Sequence, residues 1–219
     1  MSFYHRLQTV TSNERAQLVG APIVAAALEG RVTRDLYLRF LARAYHHVRH
    51  TPLLLMACGA RIPDALSWLR NEIVHYIDEE VGHDEWILND IDAAGGDAGS
   101  VRDSAPDFDT EVMVAYAYDM VHRRNPVGFF GMVYVLEGTS VSLASKVAST
   151  VQHSLGLPKS AFTYLSSHGA LDVEHIGNFE KIVDRLETEA DRACIERSAK
   201  TFFRLYGNVL TGVGTEETA

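Results

Sequence analysis

Apolar residues recur along almost the whole chain in steps of three and four positions. Such steps keep one face of an α-helix apolar, whereas the alternation typical of a half-buried strand is hard to find. Glycine and proline divide the pattern into long segments, for example at Gly20, at Gly95 and at Pro126. The pattern therefore predicts an all-α protein, a bundle of seven or eight helices joined by short connections.

We expect one domain over residues 1–212, followed by a polar tail over residues 213–219. A chain of 219 residues suits a single medium-sized core. The pattern predicts one uninterrupted helix from Pro63 to Gly95, and a loop from Gly95 to Pro106 as the longest connection.

Two of the helical faces carry acidic or histidine residues where an aliphatic residue would be expected. One face runs from Ile73 to Ile91 and is interrupted by Glu80 and His83. Another is interrupted by Glu137, and all the remaining positions of that face are apolar. A buried carboxylate costs several kcal/mol unless it is paired or bound to a metal. Taken alone, Glu137 also fits an ordinary ion pair with a core histidine or arginine.

A third face has polar residues at three successive positions, His168, Asp172 and His175. Steps of four and three place them within an arc of about 60° on one side of a helix. With Glu80, His83 and Glu137 they make three carboxylates and three imidazoles. This mixture favours iron, manganese or zinc over calcium or magnesium. Inward-facing Glu and His residues on facing helices are also how di-iron carboxylate proteins build their sites.

We therefore predict a metal centre with these six residues as ligands and two Fe²⁺ ions as the cofactor. Six protein ligands shared by two ions would leave positions open for dioxygen and a substrate. Manganese, or a single iron, remains an alternative. The residues expected to shape the pocket, which would equally suit an ordinary core, are Tyr76, Val133, Tyr134, Phe179 and, from a histidine-rich segment, His50.

Composition narrows the class of protein. The formal net charge of −9 argues against nucleic acid as a partner, because phosphate binding needs clustered lysine and arginine. The first residues lack the apolar run of a signal peptide, and we expect no membrane-spanning stretch. Two cysteines are too few for a disulfide framework, which favours the reducing cytoplasm. The expected partners are dioxygen and a small-molecule substrate. A homodimer would suit such a bundle, although no sequence feature requires one.

The chain resembles the haem-oxygenase-like diiron oxidases. The resemblance covers most of the chain and rests on three motifs: Glu80-x-x-His83, Tyr134-Val135-Leu136-Glu137-Gly138, and the most specific one, His168-x-x-x-Asp172-x-x-His175. It implies a haem-oxygenase-like bundle of about seven helices that holds iron without haem at these six Glu, Asp and His positions. It also implies an oxidoreductase that uses dioxygen to oxidise an amino acid, an amine or a fatty acid.

Relatives with the same fold use other chemistry. The thiaminase-II (TenA) branch depends on a pocket cysteine, whereas here Cys58 lies near the end of the second long helix and Glu137 occupies the central one. The pyrroloquinoline-quinone synthase branch works without a metal. True haem oxygenases need a proximal histidine in the first helix, where His5 is the only candidate. A metal-free enzyme of these kinds, or a non-catalytic protein that binds a small ligand, is the alternative function.

Overall fold

The part of the chain that the structure describes folds into helices and their connections, with no strand, which confirms the predicted all-α class. The structure is a computed structural model that describes residues 1–215, except for the side chains of residues 168–174 and 215. Its helices, in chain order, are α1 (Phe3–Val10), α2 (Ser12–Val19), α3 (Pro22–Leu28), α4 (Arg34–Val48), α5 (Thr51–Arg61), α6 (Ser67–Glu80), α7 (His83–Ala93), α8 (Ala98–Asp103), α9 (Phe108–Arg123), α10 (Phe130–Leu155), α11 (Thr163–Asp184) and α12 (Glu189–Thr215).

Polar side chains start several of these helices. The hydroxyl of Thr33 accepts a hydrogen bond from the backbone N–H of Leu36 at the start of α4. The carboxylate of Asp107 accepts from the backbone of Asp109 and of Thr110 at the start of α9. Each of these bonds satisfies an amide that has no partner within its own helix.

The helices outnumber the expected seven or eight because several predicted helices are interrupted. A break precedes Pro52, which lies in the first turn of α5 and cannot donate a backbone hydrogen bond. A second break separates α6 from α7 at Gly82, whose φ of 93° lies in the left-handed region that favours glycine. The prediction of one uninterrupted helix from Pro63 to Gly95 is therefore wrong. The expected loop from Gly95 to Pro106 also contains a short helix, α8.

Helix α10 joins two apolar cores. Its N-terminal half packs in the larger core, with residues of α5, α6, α9 and α12 around it. Its C-terminal half packs in the smaller core, against α4, α7 and the start of α11. Val135 belongs to the first core and Ala144 to the second. Glu137 therefore lies on α10 where the two cores meet.

Close backbone approach fixes α10 against α12. A Cβ atom added at Gly131 would lie 2.6 Å from the backbone N of Ala199, which is far inside the normal contact distance. Nearby, the Ser198 hydroxyl donates a hydrogen bond of 2.7 Å to the carbonyl of Gly128. The absence of a side chain at residue 131 thus sets how closely these two long helices pack.

One helix has the length and composition of a membrane span, and the last helix runs past the domain boundary expected from the sequence. The segment Pro126–Leu155 is long and apolar enough, by length and composition alone, to cross a membrane, but 61% of its apolar window is buried inside the fold. Such burial is what the central helix of a packed bundle shows. The last helix continues to Thr215 and buries Val213, so it extends beyond the boundary expected at residue 212.

Candidate metal centre

The first pair of candidate ligands lies at the break between two helices. Glu80 is the last residue of α6 and His83 the first residue of α7. The left-handed turn at Gly82 brings Nδ1 of His83 to 3.2 Å from Oε2 of Glu80. Both side chains are buried, with 8% and 2% of their surfaces exposed. A helix break, and not the continuous helical face that the spacing suggested, positions this pair.

The second pair lies between α10 and α11. Glu137 and His175 are 7% and 2% exposed, so both occupy interior positions as their helical faces predicted. Nδ1 of His175 lies 3.9 Å from Oε1 of Glu137. This separation is too long for a direct hydrogen bond, but it makes the two side chains neighbours in a buried site.

Glu79 contacts the histidine of the second pair and precedes Glu80 of the first pair in the chain. The pattern of apolar positions did not predict this residue. Its Oε2 atom lies 3.3 Å from Nε2 of His175, and its Oε1 atom lies 3.2 Å from Nε2 of His75. The end of α6 therefore directs adjacent carboxylates to different histidines, Glu80 to one and Glu79 to the other. Glu79 lies off the apolar face of its helix, so the pattern gave no reason to select it. The available signal was His75 four residues earlier, a spacing that places two side chains together on a helix.

A cavity of about 170 Å³ lies beside both buried carboxylates, since Glu80 and Glu137 each contribute to its wall. The described residues that line it are largely apolar and include neither lysine nor arginine. Tyr37 contributes its ring to this wall, while its hydroxyl donates a hydrogen bond of 2.6 Å to the carbonyl of Ala161. The two carboxylates thus face a largely hydrophobic space.

This cavity follows α10 away from the carboxylates. The lining residues of α10 extend to Val151, fourteen positions beyond Glu137. At a rise of 1.5 Å per residue, the segment of α10 that lines this part of the cavity is about 21 Å long. Beyond Ser140 the lining residues that α10 supplies are all aliphatic, namely Leu143, Ala144, Val147 and Val151. We call this part the apolar arm of the cavity.

Four of the five predicted pocket residues lie on helices that carry proposed ligands. The structure places two of them on the wall of this cavity and two elsewhere. Tyr76 and Val133 lie on the cavity wall. Tyr134 lines a different cavity, of about 200 Å³, and its ring stacks on that of Phe179 with the centroids 5.6 Å apart. Phe179 is buried in the larger core. We therefore correct the assignment of Tyr134 and Phe179, because helical spacing alone does not reveal which neighbour covers a face.

The fifth predicted pocket residue, His50, also lies outside the lining of this cavity. Nδ1 of His50 is 3.0 Å from the hydroxyl of Tyr118, on the neighbouring helix α9. His47, on the preceding turn, lines the cavity instead. Arg49 and His50 belong to neither α4 nor α5, so the regular spacing of a helix does not fix where the side chain of His50 lies.

The side chains of His168 and Asp172 lie outside the described residues, so their roles as ligands remain predictions. Among the side chains that are described, no three His, Cys, Asp or Glu residues converge closely enough to hold a metal ion. The described donors nevertheless have the chemistry that iron requires. Two buried carboxylates face one cavity, and each lies beside an imidazole.

Neither of the two cysteines has the properties of a nucleophile. Cys58 is fully buried, and its thiol donates to the carbonyl of Pro126 at 3.3 Å. Burial raises the pKa of the Cys58 thiol to about 12. Burial also raises the pKa of Cys194. Because the thiolate is the reactive form, a thiaminase-type mechanism would lack its nucleophile here.

We expect Cys58 to resist alkylation in the folded protein. Its burial and raised pKa leave almost no exposed thiolate at neutral pH, so iodoacetamide should label it only after unfolding. Mass spectrometry of peptides from native and urea-treated samples would measure this. Rapid labelling of Cys58 in the native sample would show an accessible, reactive thiol and would restore the thiaminase-type alternative.

Comparison with known proteins supports the fold and a redox family. Residues 38–207 match a family model described as iron-containing redox enzyme. Comparison of the sequence with curated proteins gives no match. Among solved structures, a domain of unknown function with a haem-oxygenase-like fold from Shewanella denitrificans is 23% identical, with a TM-score of 0.87 and coverage of 97% of this chain and 92% of that one.

Two further solved structures belong to different branches of the fold. A TenA homologue from Pseudomonas syringae is 12% identical, with a TM-score of 0.81 and coverage of 95% of this chain and 90% of the other. A haem oxygenase from Leptospira interrogans is 15% identical, with a TM-score of 0.78 and coverage of 97% and 100% respectively. At these identities the likeness demonstrates the fold alone, and it confirms the predicted haem-oxygenase-like bundle.

Proposed function

Because the chain belongs to the family of iron-containing redox enzymes, we propose that it is a non-haem iron oxidase or oxygenase that activates dioxygen to oxidise a small organic substrate. The proposed cofactor is a pair of Fe²⁺ ions. One observation carries the proposal: two buried carboxylates, each beside a histidine, face the same apolar cavity. The proposed ligands are Glu80, His83, Glu137, His168, Asp172 and His175.

The burial of these groups supports a metal as their natural partner. Moving a carboxylate out of water costs several kcal/mol unless an opposite charge compensates it. Glu80 and Glu137 occupy buried positions where aliphatic side chains would pack without this cost. Deprotonated carboxylates and neutral imidazoles are the forms that bind iron, so metal binding would replace protons in this site.

The chain's own residues would hold and orient the metal and shield it from water. Iron bound at the site would supply the electrons and the open positions that dioxygen chemistry needs. The carboxylates and histidines would fix the position of the metal, and Tyr76 and Val133 would limit access of water from the cavity side. Exclusion of water strengthens every electrostatic interaction inside such a site.

The lining of the cavity also indicates which class of substrate it would accept. The residues of α10 that line its apolar arm are aliphatic, and such a wall suits a hydrocarbon chain better than a small polar amino acid. The described lining contains no lysine or arginine to pair with a carboxylate far from the metal. Among amino acids, amines and fatty acids, we therefore propose a substrate with a long apolar part, such as a fatty acid, whose polar end lies at the metal.

Anaerobic titration of the purified apoprotein with Fe²⁺ would test the proposed function. We expect about two irons per chain, and a transient change in the visible spectrum after mixing with oxygenated buffer. Loss of one ligand in His83→Ala should weaken iron binding by on the order of 100-fold. His153→Ala, which changes an exposed histidine, is the matched control and should bind iron as the parent does.

Absence of stoichiometric iron binding by the parent protein would overturn the proposal. The buried groups would then be a polar network, and a metal-free function would take its place. Iron binding without oxygen consumption for any apolar substrate would instead favour a protein that only binds a ligand, because the same cavity would serve that role.

A further inference from the structure

Asp90 is a fully buried carboxylate that the proposed chemistry does not use. It lies on α7, the helix that begins at His83, and 0% of its surface is exposed. Its Oδ1 atom accepts a 2.9 Å hydrogen bond from the backbone N–H of Thr163 and another from the hydroxyl of the same residue. Its Oδ2 atom accepts a 2.9 Å bond from the backbone N–H of Tyr164.

All three donors belong to the first turn of α11. Amides at a helix start have no partner within the helix, and they attract negative charge. Such a cap usually comes from the residue just before the helix, but here it comes from a helix 73 residues earlier in the chain. Hydrogen bonds to an ionised carboxylate are stronger than those between neutral groups. Asp90 therefore ties α11 to α7 with both of its oxygens.

The two helices joined in this way carry histidines of the candidate metal centre. Helix α7 presents His83 at its start, and α11 presents His175 as well as the predicted ligands His168 and Asp172. Bonds to two successive amides and a hydroxyl restrict both the rotation and the translation of the first turn of α11. Any slip of that turn would move the ligand face of α11 relative to His83.

We propose that Asp90 is a positioning residue that sets the register of α11 against α7 and thereby the geometry of the metal centre. The proposal rests on the proposed iron site for its functional meaning. The same turn of α11 also supplies Tyr164 and Leu165 to the wall of the cavity. Asp90 thus acts on the metal and on the apolar arm through one set of hydrogen bonds.

Another carboxylate in the protein provides a matched control. Asp107 also accepts hydrogen bonds from two backbone amides and from a threonine hydroxyl, that of Thr110. It caps α9, which carries none of the proposed ligands, and it pairs with Arg43 at 3.0 Å. Its replacement should destabilise the fold at least as much as replacement of Asp90, but without disturbing the ligand helices.

The experiment compares the parent protein with Asp90→Asn and Asp107→Asn. In Asp90→Asn the amide group replaces an acceptor by a donor, so at least one N–H of α11 loses its partner. We expect both variants to unfold several degrees below the parent. Only Asp90→Asn should lose iron affinity, by about 10- to 100-fold, and change the visible spectrum of bound Co²⁺, which reports ligand geometry. Equal iron affinity in Asp90→Asn and the parent would overturn the proposal.

Two additions keep the outcome decisive. Thr163→Val removes one donor and keeps both backbone bonds, so it should fold even if Asp90→Asn does not, with a smaller loss of iron affinity. Hydrogen exchange of the metal-free proteins should show faster exchange in α11 of Asp90→Asn than in α11 of Asp107→Asn. If the parent binds no iron, the proposed function fails, and this exchange pattern alone supports or refutes the positioning of α11.

Discussion

Replacing Glu137 by alanine is expected to weaken iron binding strongly and to suppress oxygen reactivity without unfolding the protein. Glu137 is the carboxylate at the meeting point of both cores, it faces the cavity, and His175 lies 3.9 Å away. Removing a metal ligand should weaken iron binding by on the order of 100-fold or more. The metal-free variant should still fold, because alanine at residue 137 keeps the backbone of α10 helical.

Two variants sharpen this result. Glu137→Gln keeps the size of the side chain and removes its charge, so it should weaken iron binding as Glu137→Ala does. Ser140→Ala changes a neighbouring residue of the cavity wall and should bind iron normally. The measurements are anaerobic iron titration and thermal unfolding with and without iron. Parent-like iron binding by Glu137→Ala would remove this residue from the metal centre.

Replacing Gly131 by alanine is expected to produce the largest loss of stability from the addition of a single methyl group. The new Cβ atom would lie 2.6 Å from the backbone N of Ala199, and a backbone cannot move aside as a flexible side chain can. Overpacking of this kind costs about 1–3 kcal/mol and occasionally more. In a protein of this size each kcal/mol lowers the melting temperature by about 2–4 °C. Thermal unfolding followed by circular dichroism would measure the change.

Gly138→Ala on the same helix is the matched control. A Cβ atom there would meet no atom of the described residues within 4 Å, and alanine favours the helix by up to about 1 kcal/mol. This variant should therefore melt at or slightly above the temperature of the parent. Equal melting temperatures for Gly131→Ala and the parent would show that α10 and α12 do not approach as closely as described.

The sequence could predict much of the fold because apolar residues recur at regular helical spacing within most of its helices. Glu137 and His175 are buried as predicted, since each lies well inside a long regular helix where the face is fixed by spacing alone. The same reasoning paired Glu80 with His83 on one helical face. They do form a pair, but through the left-handed turn at Gly82, which the apolar pattern does not register.

Features that depend on contact between helices could not be predicted in this way. Glu79 approaches His175 because the end of α6 meets α11, and nothing in the pattern of either helix specifies that meeting. The same limit applies to Asp90, whose partners lie on another helix. His50 was chosen for the pocket from its segment alone, whereas the structure places His47, three residues earlier, on the cavity wall.

The course of the cavity along α10 divides this helix into two parts that can evolve separately. The proposed metal ligand Glu137 lies near one end of the apolar arm, whereas Ala144, Val147 and Val151 line the remainder. A larger side chain at Ala144 would shorten the space for a substrate and leave the donor untouched, and a smaller one at Val147 would lengthen or widen it. Substrate choice could therefore drift by single substitutions while the proposed metal centre is inherited unchanged.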